Sequence, residues 1–263
     1  MGVLNATPDS FSDGGRYADP ARALDRAREM LAEGADLIDI GGESTRPGAA
    51  ATPERDEVER VVPLLERLRP ECDARGVPVS VDTRKPAVMR AAIAAGAGMI
   101  NDVSALRGPG ALEAVAGSSV AVCLMHMQGE PATMQQDVVY TDVVTEVKNF
   151  LNQRALACEA AGIARERIVV DPGFGFGKTV EHNLILLSRL AEIVAMELPV
   201  AVGLSRKSTI GAITGRGVNE RVAGSIAAAL AAVARGAAIV RAHDVRETVD
   251  ALKVWRAANT GRR

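Results

Sequence analysis

The chain has little of what marks several protein classes. Its three cysteines, Cys72, Cys123 and Cys158, are widely spaced and form no CxxC pair. That excludes a disulfide framework or a cysteine zinc site and points to a reducing compartment, the cytoplasm. Long apolar runs are missing as well. The longest weakly polar stretch, Val222 to Ala234, is mostly alanine and ends at Arg235, short of the roughly 20 residues that cross a bilayer core. The opening Met1-Gly2-Val3-Leu4-Asn5 has neither a basic region nor an apolar one, and Ala6 stands where a myristoylation signal needs Ser or Thr, so no leader or lipid anchor is expected. Charge of one sign is lacking: 31 Lys+Arg face 33 Asp+Glu, a net charge of −2, with no basic runs. This argues against nucleic acid or an anionic membrane as the main partner. No Pro/Gly/Ser-rich linker or break in composition divides the 263 residues. With 48% hydrophobic and 24% charged residues, they are expected to fold as one soluble domain spanning 1–263.

What is present is alternation. Short β-branched runs at Gly2–Asn5, Asp36–Ile40, Val77–Asp82, Gly98–Asp102, Val120–Met125, Ile168–Asp171, Pro199–Leu204 and Ala237–Arg241 are separated by stretches of helical period. The helices are expected near 20–33, 53–74, 86–95, 110–117, 141–161, 180–194, 219–235 and 245–259. Thr52 before Pro53 and Asp19 before Pro20 read as helix starts. Gly34, Gly76, Gly96, Gly162 and Gly236 read as left-handed caps. Eight strand–helix units predict an α/β fold of the (β/α)8 TIM-barrel type, whose typical length is about 250 residues; doubly wound sheets share the alternation. The first strand begins at residue 2 with no lead-in, so either this start lies inside a longer natural chain or that strand is short.

In a barrel the loops after the strands form the active face. Here all eight strand ends carry an amide, carboxylate, imidazole or cation: Asn5, Glu43 with Arg46, Asp82, Asn101-Asp102, His126, Asp171, Ser205-Arg206-Lys207-Ser208 and Arg241-Ala242-His243. The opposite ends read Gly-Ala-Asp, Gly-Val-Pro, Ala-Gly-Ala and Gly-Ala-Ala. Polar density at one end only is what a site predicts. Of four Phe, three (Phe11, Phe174 and Phe176) lie in Gly- or Ser-rich loops, either packed down on the barrel rim or forming an apolar wall for a flat ring. Gly173 to Thr179 imitates a phosphate loop, but Pro172 stands where that pattern needs Gly. His126, His182 and His243 have no metal-ligand spacing, and Asp39, inside an apolar run, reads as a buried paired carboxylate. Ser205 to Ser208, ahead of the next helix, reads as an anion site.

These loops resemble the signatures of the dihydropteroate synthases, a family of pterin-binding enzymes. The resemblance rests on Asn5-Ala6-Thr7-Pro8-Asp9-Ser10-Phe11-Ser12-Asp13-Gly14-Gly15 and on Gly42-Glu43-Ser44-Thr45-Arg46-Pro47-Gly48. It continues in order through Val81-Asp82-Thr83, Ile100-Asn101-Asp102, His126-Met127-Gln128-Gly129, Asp171 to Phe176, Ser205 to Ser208 and Arg241 to His243, covering residue 2 to about 250. Ala6 departs from it, standing where a larger β-branched residue is usual. The resemblance implies a transferase that joins 4-aminobenzoate to 6-hydroxymethyl-7,8-dihydropterin diphosphate and releases diphosphate. It implies Asp82, Asn101, Met125, Asp171 and Lys207 around the pterin, with Arg241 stacked on the ring. Thr45, Pro47, Phe176 and Ser208 would border the aminobenzoate. Arg46 and His243 would hold diphosphate, with Asn5 near Mg²⁺, and Asp13 would arrive with the first loop. Asp13, Arg46, Lys207, Arg241 and His243 are thus the implied catalytic group, in a protein that forms homodimers.

The residue types suit that chemistry. A carboxylate accepts two adjacent pterin donors, and an ammonium answers ring acceptors. An aromatic amine is neutral at pH 7, so departure of diphosphate is the harder task, and a loose, cation-like transition state is expected. An amide brings no charge, so Mg²⁺ is expected to bind weakly alone and to enter with diphosphate. The first two loops are expected to be mobile when empty and to close over both substrates. A pterin-binding methyltransferase module and a non-catalytic barrel are the competing readings; the first lacks a corrinoid-binding second domain here, and the second would be expected to have lost a charged site residue.

Overall fold

The structure, a computed structural model, describes residues 1–6, 20–44, 51–130 and 133–261. Eight parallel strands alternate with helices: β1 (Gly2–Asn5), α1 (Pro20–Ala32), β2 (Ile38–Gly41), α2 (Glu54–Asp73), β3 (Val79–Asp82), α3 (Pro86–Ala94), β4 (Met99–Asp102), α4 (Ala111–Ala116), β5 (Ala121–Met125), α5 (Val143–Ala160), β6 (Ile168–Asp171), α6 (Val180–Ser188), α7 (Ala191–Val194), β7 (Ala201–Val202), α8 (Ser208–Thr214), α9 (Val222–Val233), β8 (Ile239–Val240) and α10 (Val245–Thr260). Strands β1 to β6 form one parallel sheet in sequence order, and β7 pairs with β8. A bridge from Val170 to Val200 joins β6 to β7, and one from Gly2 to Ala242 joins β8 back to β1. The eight strands therefore close into the expected TIM barrel. No helix among the described residues is long and apolar enough to cross a membrane.

The strand alternation of period two decides what faces where. Outward residues such as Leu4, Ile38, Ile40, Val79, Val81, Ile100, Val122, Leu124, Ile168 and Val170 pack against the helices in one continuous core. Fully burying one such side chain contributes about 1.5–3 kcal/mol. Inward, Leu37, Met99, Cys123, Val169 and Ala201 form a small apolar plug at the barrel base. Above that plug the inward positions turn polar, and that switch places the site.

Local departures from the sequence reading have physical causes. β3 starts at Val79 rather than Val77 because Pro78 has no N–H to give a ladder; β7 shrinks to two residues behind Pro199 for the same reason. The expected 180–194 helix breaks after Ser188 into α6 and α7, with the Arg189 side chain drawn to Glu192 and Asp142. The 219–235 helix begins at Val222 behind a short 3-10 turn, and 208–214 forms a helix that the periodicity does not announce. Thr52 caps nothing: Pro53 takes the cap position without a side-chain bond, and the Thr52 N–H donates to Glu43 Oε1 at 2.9 Å. Pro20 does open α1, while Asp19 lies outside the described residues. All five glycines read as caps take positive φ, between +66° and +98°.

Candidate active site

Asp82, Asn101, Met125 and Asp171 are the last or next-to-last residues of β3, β4, β5 and β6. All four have the inward parity. Lys207 precedes α8 and Arg241 follows β8. These six side chains, with Phe176, line one cleft of about 350 Å³ that includes its open mouth. Residues up to 159 positions apart thus meet because each ends a strand of the same barrel.

The cleft floor is a charge network. Arg241 donates from Nε to Asp39 Oδ2 at 2.6 Å and from Nη2 to Asp82 Oδ2 at 2.9 Å. Asn101 Nδ2 donates to the same Asp39 oxygen at 3.2 Å, and the other Asp39 oxygen has no partner among the described residues. Burial and the neighbouring Asp39 push the Asp82 carboxyl up to about 7 against the pull of Arg241. Burial opposes the Arg241 charge, but Asp39 and Asp82 outweigh it and hold the guanidinium above its ordinary value. Asp171 is also raised by burial, while its Oδ1 accepts the Gly173 N–H at 2.7 Å. Burial and Arg241 lower Lys207 to about 8, and its Nζ lies 4.2 Å from the Phe176 ring centroid. Two cations and three carboxylates therefore share a poorly hydrated bowl, with hydrogen-bonding groups that can match a planar polar heterocycle.

At the rim beyond Arg241, Ser205 Oγ lies 3.1 Å from His243 Nδ1 and accepts the His243 N–H at 3.2 Å. Burial, then Arg241 and Arg206, lower His243 to about 4, so its ring is neutral at pH 7. Arg206, with φ +60°, turns away to pair with Asp244 at 2.5 and 3.0 Å. Ser208 is the first residue of α8, whose first turn receives no side-chain cap from Lys207. A Cβ placed on Gly41 would lie 3.8 Å from both Asn5 Oδ1 and Asp82 Cβ, so the Asn5 amide stands beside the Asp82 corner of the bowl. Among the described residues no group of three or more His, Cys, Asp or Glu is arranged to hold a metal.

Asp13, Thr45, Arg46 and Pro47, with Phe11, lie outside the described residues. The two readings of the loop phenylalanines divide: Phe174 is buried in the core and Phe176 borders the cleft. The mock phosphate loop is no phosphate loop, since Lys178 turns inward and is 3% exposed. His126 is a structural residue, edge-on to Phe150 at 4.9 Å and bonded through Nδ1 to Lys178. His182 completes the α6 capping box. Asp39 is the buried paired carboxylate that its apolar setting suggested, yet its partner Arg241 lies 202 residues away. Its role under the bowl could have been found only by assigning inward parity to β2.

Comparison with known proteins agrees with this geometry. The family model described as "Pterin binding enzyme" matches residues 1–243. The dihydropteroate synthase of Escherichia coli K12 is 50% identical over 254 residues, covering 97% of this chain and 89% of that protein. A Yersinia pestis dihydropteroate synthase solved as a sulfonamide drug complex superposes with a TM-score of 0.94 at 50% identity, covering 99% of this chain and 94% of that one. A Burkholderia cenocepacia dihydropteroate synthase complexed with 7,8-dihydropteroate gives 0.90 at 54% identity, covering 99% and 91%.

Proposed function

The chain belongs to the pterin binding enzyme family, and from that premise we infer that it is the transferase that builds 7,8-dihydropteroate. It condenses 4-aminobenzoate with 6-hydroxymethyl-7,8-dihydropterin diphosphate: the amine nitrogen forms a bond to the exocyclic methylene carbon, the carbon–oxygen bond to diphosphate breaks, and the amine loses a proton. The observation that carries this reading is the meeting of Asp82, Asn101, Asp171, Lys207 and Arg241 in one bowl.

In this reading Asp82 and Asp171 accept the pterin's N–H donors, while the Asn101 amide and the Lys207 ammonium complement the remaining ring edge. Arg241, pinned through Nε and Nη2, offers its plane to the ring. Phe176 and Ser208 border the aminobenzoate together with Thr45 and Pro47. His243 and Ser205 lie where the leaving anion would sit, and the family resemblance adds Arg46 and Asp13 to that group. Neutral His243 can take up a proton as negative charge collects beside it. Binding the pterin edge-on in a dry bowl positions the methylene carbon for the amine and keeps competing water away.

A magnesium ion fits this donor set in a limited way. Asn5 would hold it as one hard, neutral oxygen ligand, with diphosphate supplying the charged ones. When bound, the ion supplies neutralisation of charge growing on the leaving group. Micromolar Mg²⁺ affinity of the protein without diphosphate, measured by calorimetry, would contradict this. The same reading gives one domain over 1–263, a homodimer and a cytoplasmic location; the buried, unpaired thiols Cys72, Cys123 and Cys158 favour the last.

The test is diphosphate release from the purified protein with the pterin diphosphate and Mg²⁺, with and without 4-aminobenzoate. Release that depends on the amine and yields dihydropteroate supports the synthase. Pterin binding without release favours a binding protein or a methyl-carrying module and overturns the reading.

A further inference from the structure

Lys178 belongs to no part of the mechanism above. It is 3% exposed, in the loop between β6 and α6. Its Nζ contacts four acceptors, all uncharged: Gly173 O at 2.9 Å, His126 Nδ1 at 2.9 Å, Phe176 O at 3.0 Å and His126 O at 3.4 Å. Burying an ammonium without a carboxylate in contact is costly, and burial lowers Lys178 to about 7. A methionine would fill the same space without that cost. What the amino group supplies is direction. It gathers the carbonyls at both ends of the Gly173–Phe176 turn, which is itself closed by a Phe176 N–H to Gly173 O bond of 3.1 Å, and ties them to the loop after β5.

That turn is locked from other sides too. A Cβ on Gly173 would lie 1.9 Å from His126 O, and one on Gly177 would lie 2.6 Å from Gln128 O. Gln135 Nε2 donates to Gly175 O at 2.7 Å, and Tyr140 Oη donates to Gly177 O at 2.9 Å. The turn then meets Lys207 twice. A Cβ on Gly175 would sit 3.2 Å from Lys207 Cδ, and the Phe176 ring lies under Lys207 Nζ. The path from His126 through Lys178 and Phe176 to Lys207 is continuous.

We propose that Lys178 is a positioning residue: its buried amino group sets the β6–α6 turn and thereby holds the Phe176 ring against Lys207 at the aminobenzoate side of the cleft. This rests on the synthase reading, in which Phe176 borders the amine. Lys178→Met should raise the KM for 4-aminobenzoate roughly tenfold, with kcat and the Kd of the pterin each within about threefold of wild type. Lys178→Gln, which keeps two donors, should fall between, and it carries the same measurements if Lys178→Met does not fold. Acting through Phe176, either substitution combined with Phe176→Ala should raise that KM no further than Phe176→Ala alone. Fully multiplicative effects, equal loss of both substrates, or an unchanged aminobenzoate KM in both Lys178 variants would overturn the inference. A different result sinks the site reading itself, and the inference with it: Phe176→Ala leaving the aminobenzoate KM at the wild-type value.

Discussion

Replacing Asp82 by Asn should move affinity and stability in opposite directions. The substitution keeps the volume and one acceptor oxygen, so the 2.9 Å bond from Arg241 Nη2 survives. It removes the charge and turns an N–H toward one of the two pterin donors. A bond to a charged acceptor contributes about 1.5–3 kcal/mol against about 0.5–1.5 for a neutral one, and an unmatched buried donor costs a further 1–3. The sum, about 2–4 kcal/mol, weakens pterin binding roughly 30- to 1,000-fold. Stability runs the other way because Asp82, raised from 3.8 to about 7 by burial and by Asp39, is ionised at a cost in the folded protein. The folded state holds this proton more tightly than the unfolded one. The stability it contributes is therefore complete below about pH 4 and gone once pH passes about 7. Asn is indifferent to pH, so the variant should lie nearest to wild type at pH 4.5 and gain on it with rising pH, by on the order of 1–4 kcal/mol at pH 8. That corresponds to about 2–4 °C in Tm per kcal/mol. Calorimetric titration with the pterin at pH 7.5 and thermal melts from pH 4.5 to 8 read both effects. Pterin affinity within threefold of wild type, or a lower Tm at pH 8, would refute the reasoning.

Asp39→Ala should behave oppositely in stability, because it strips the half-buried Arg241 of its 2.6 Å partner; a loss of about 2–3 kcal/mol is expected in urea unfolding at pH 7. Two glycines with similar φ provide a matched pair. Gly76→Ala, at φ +66° with nothing within 4 Å, should cost about 1–2 kcal/mol. Gly173→Ala, at φ +69° and aimed at His126 O, should cost several kcal/mol more, seen as a lower thermal midpoint and lost pterin binding. Neutral His243, held near 4, should gain affinity for a proton when diphosphate binds beside it. Calorimetry at pH 6 in buffers of different ionisation enthalpy should show proton uptake, and His243→Asn should abolish it.

The strand ends were legible because each writes its polar residue and its apolar run side by side in the chain. Parity within β3, β4 and β6 then aims Asp82, Asn101 and Asp171 inward without further information. The left-handed caps at Gly96 and Gly236 were legible for the same local reason. What escaped depends on closure of the ring. Asp39 could be read as paired, but its partner Arg241 follows β8 and comes within reach only across the barrel interior. Lys178 wears the sequence of a phosphate loop, and only the backbone carbonyls around it reveal an inward turn. The break at Arg189 follows from side-chain pairing to Glu192 and Asp142 that periodicity does not encode. Asp13, Thr45, Arg46 and Pro47 lie outside the described residues, and their roles come from the family resemblance.

The wall of the barrel is not equally stiff all the way round. From β1 to β6 consecutive ladders lace it into a single plate, whereas β7 and β8 share a two-residue ladder, β8 reaching β1 through hydrogen bonds at Met1, Val3 and Ala242 and β7 reaching β6 at the Val170–Val200 bridge. Asp82, Asn101 and Asp171 stand on the plate; Ser205, Lys207, Arg241 and His243 stand on the stitched remainder. Small outward excursions of that remainder break few bonds, so backbone amides there should exchange with solvent sooner than those of β4 and β5. The carboxylates and the amide of the bowl thus sit on the stiffer arc of the wall, and its two cations on the arc that yields first.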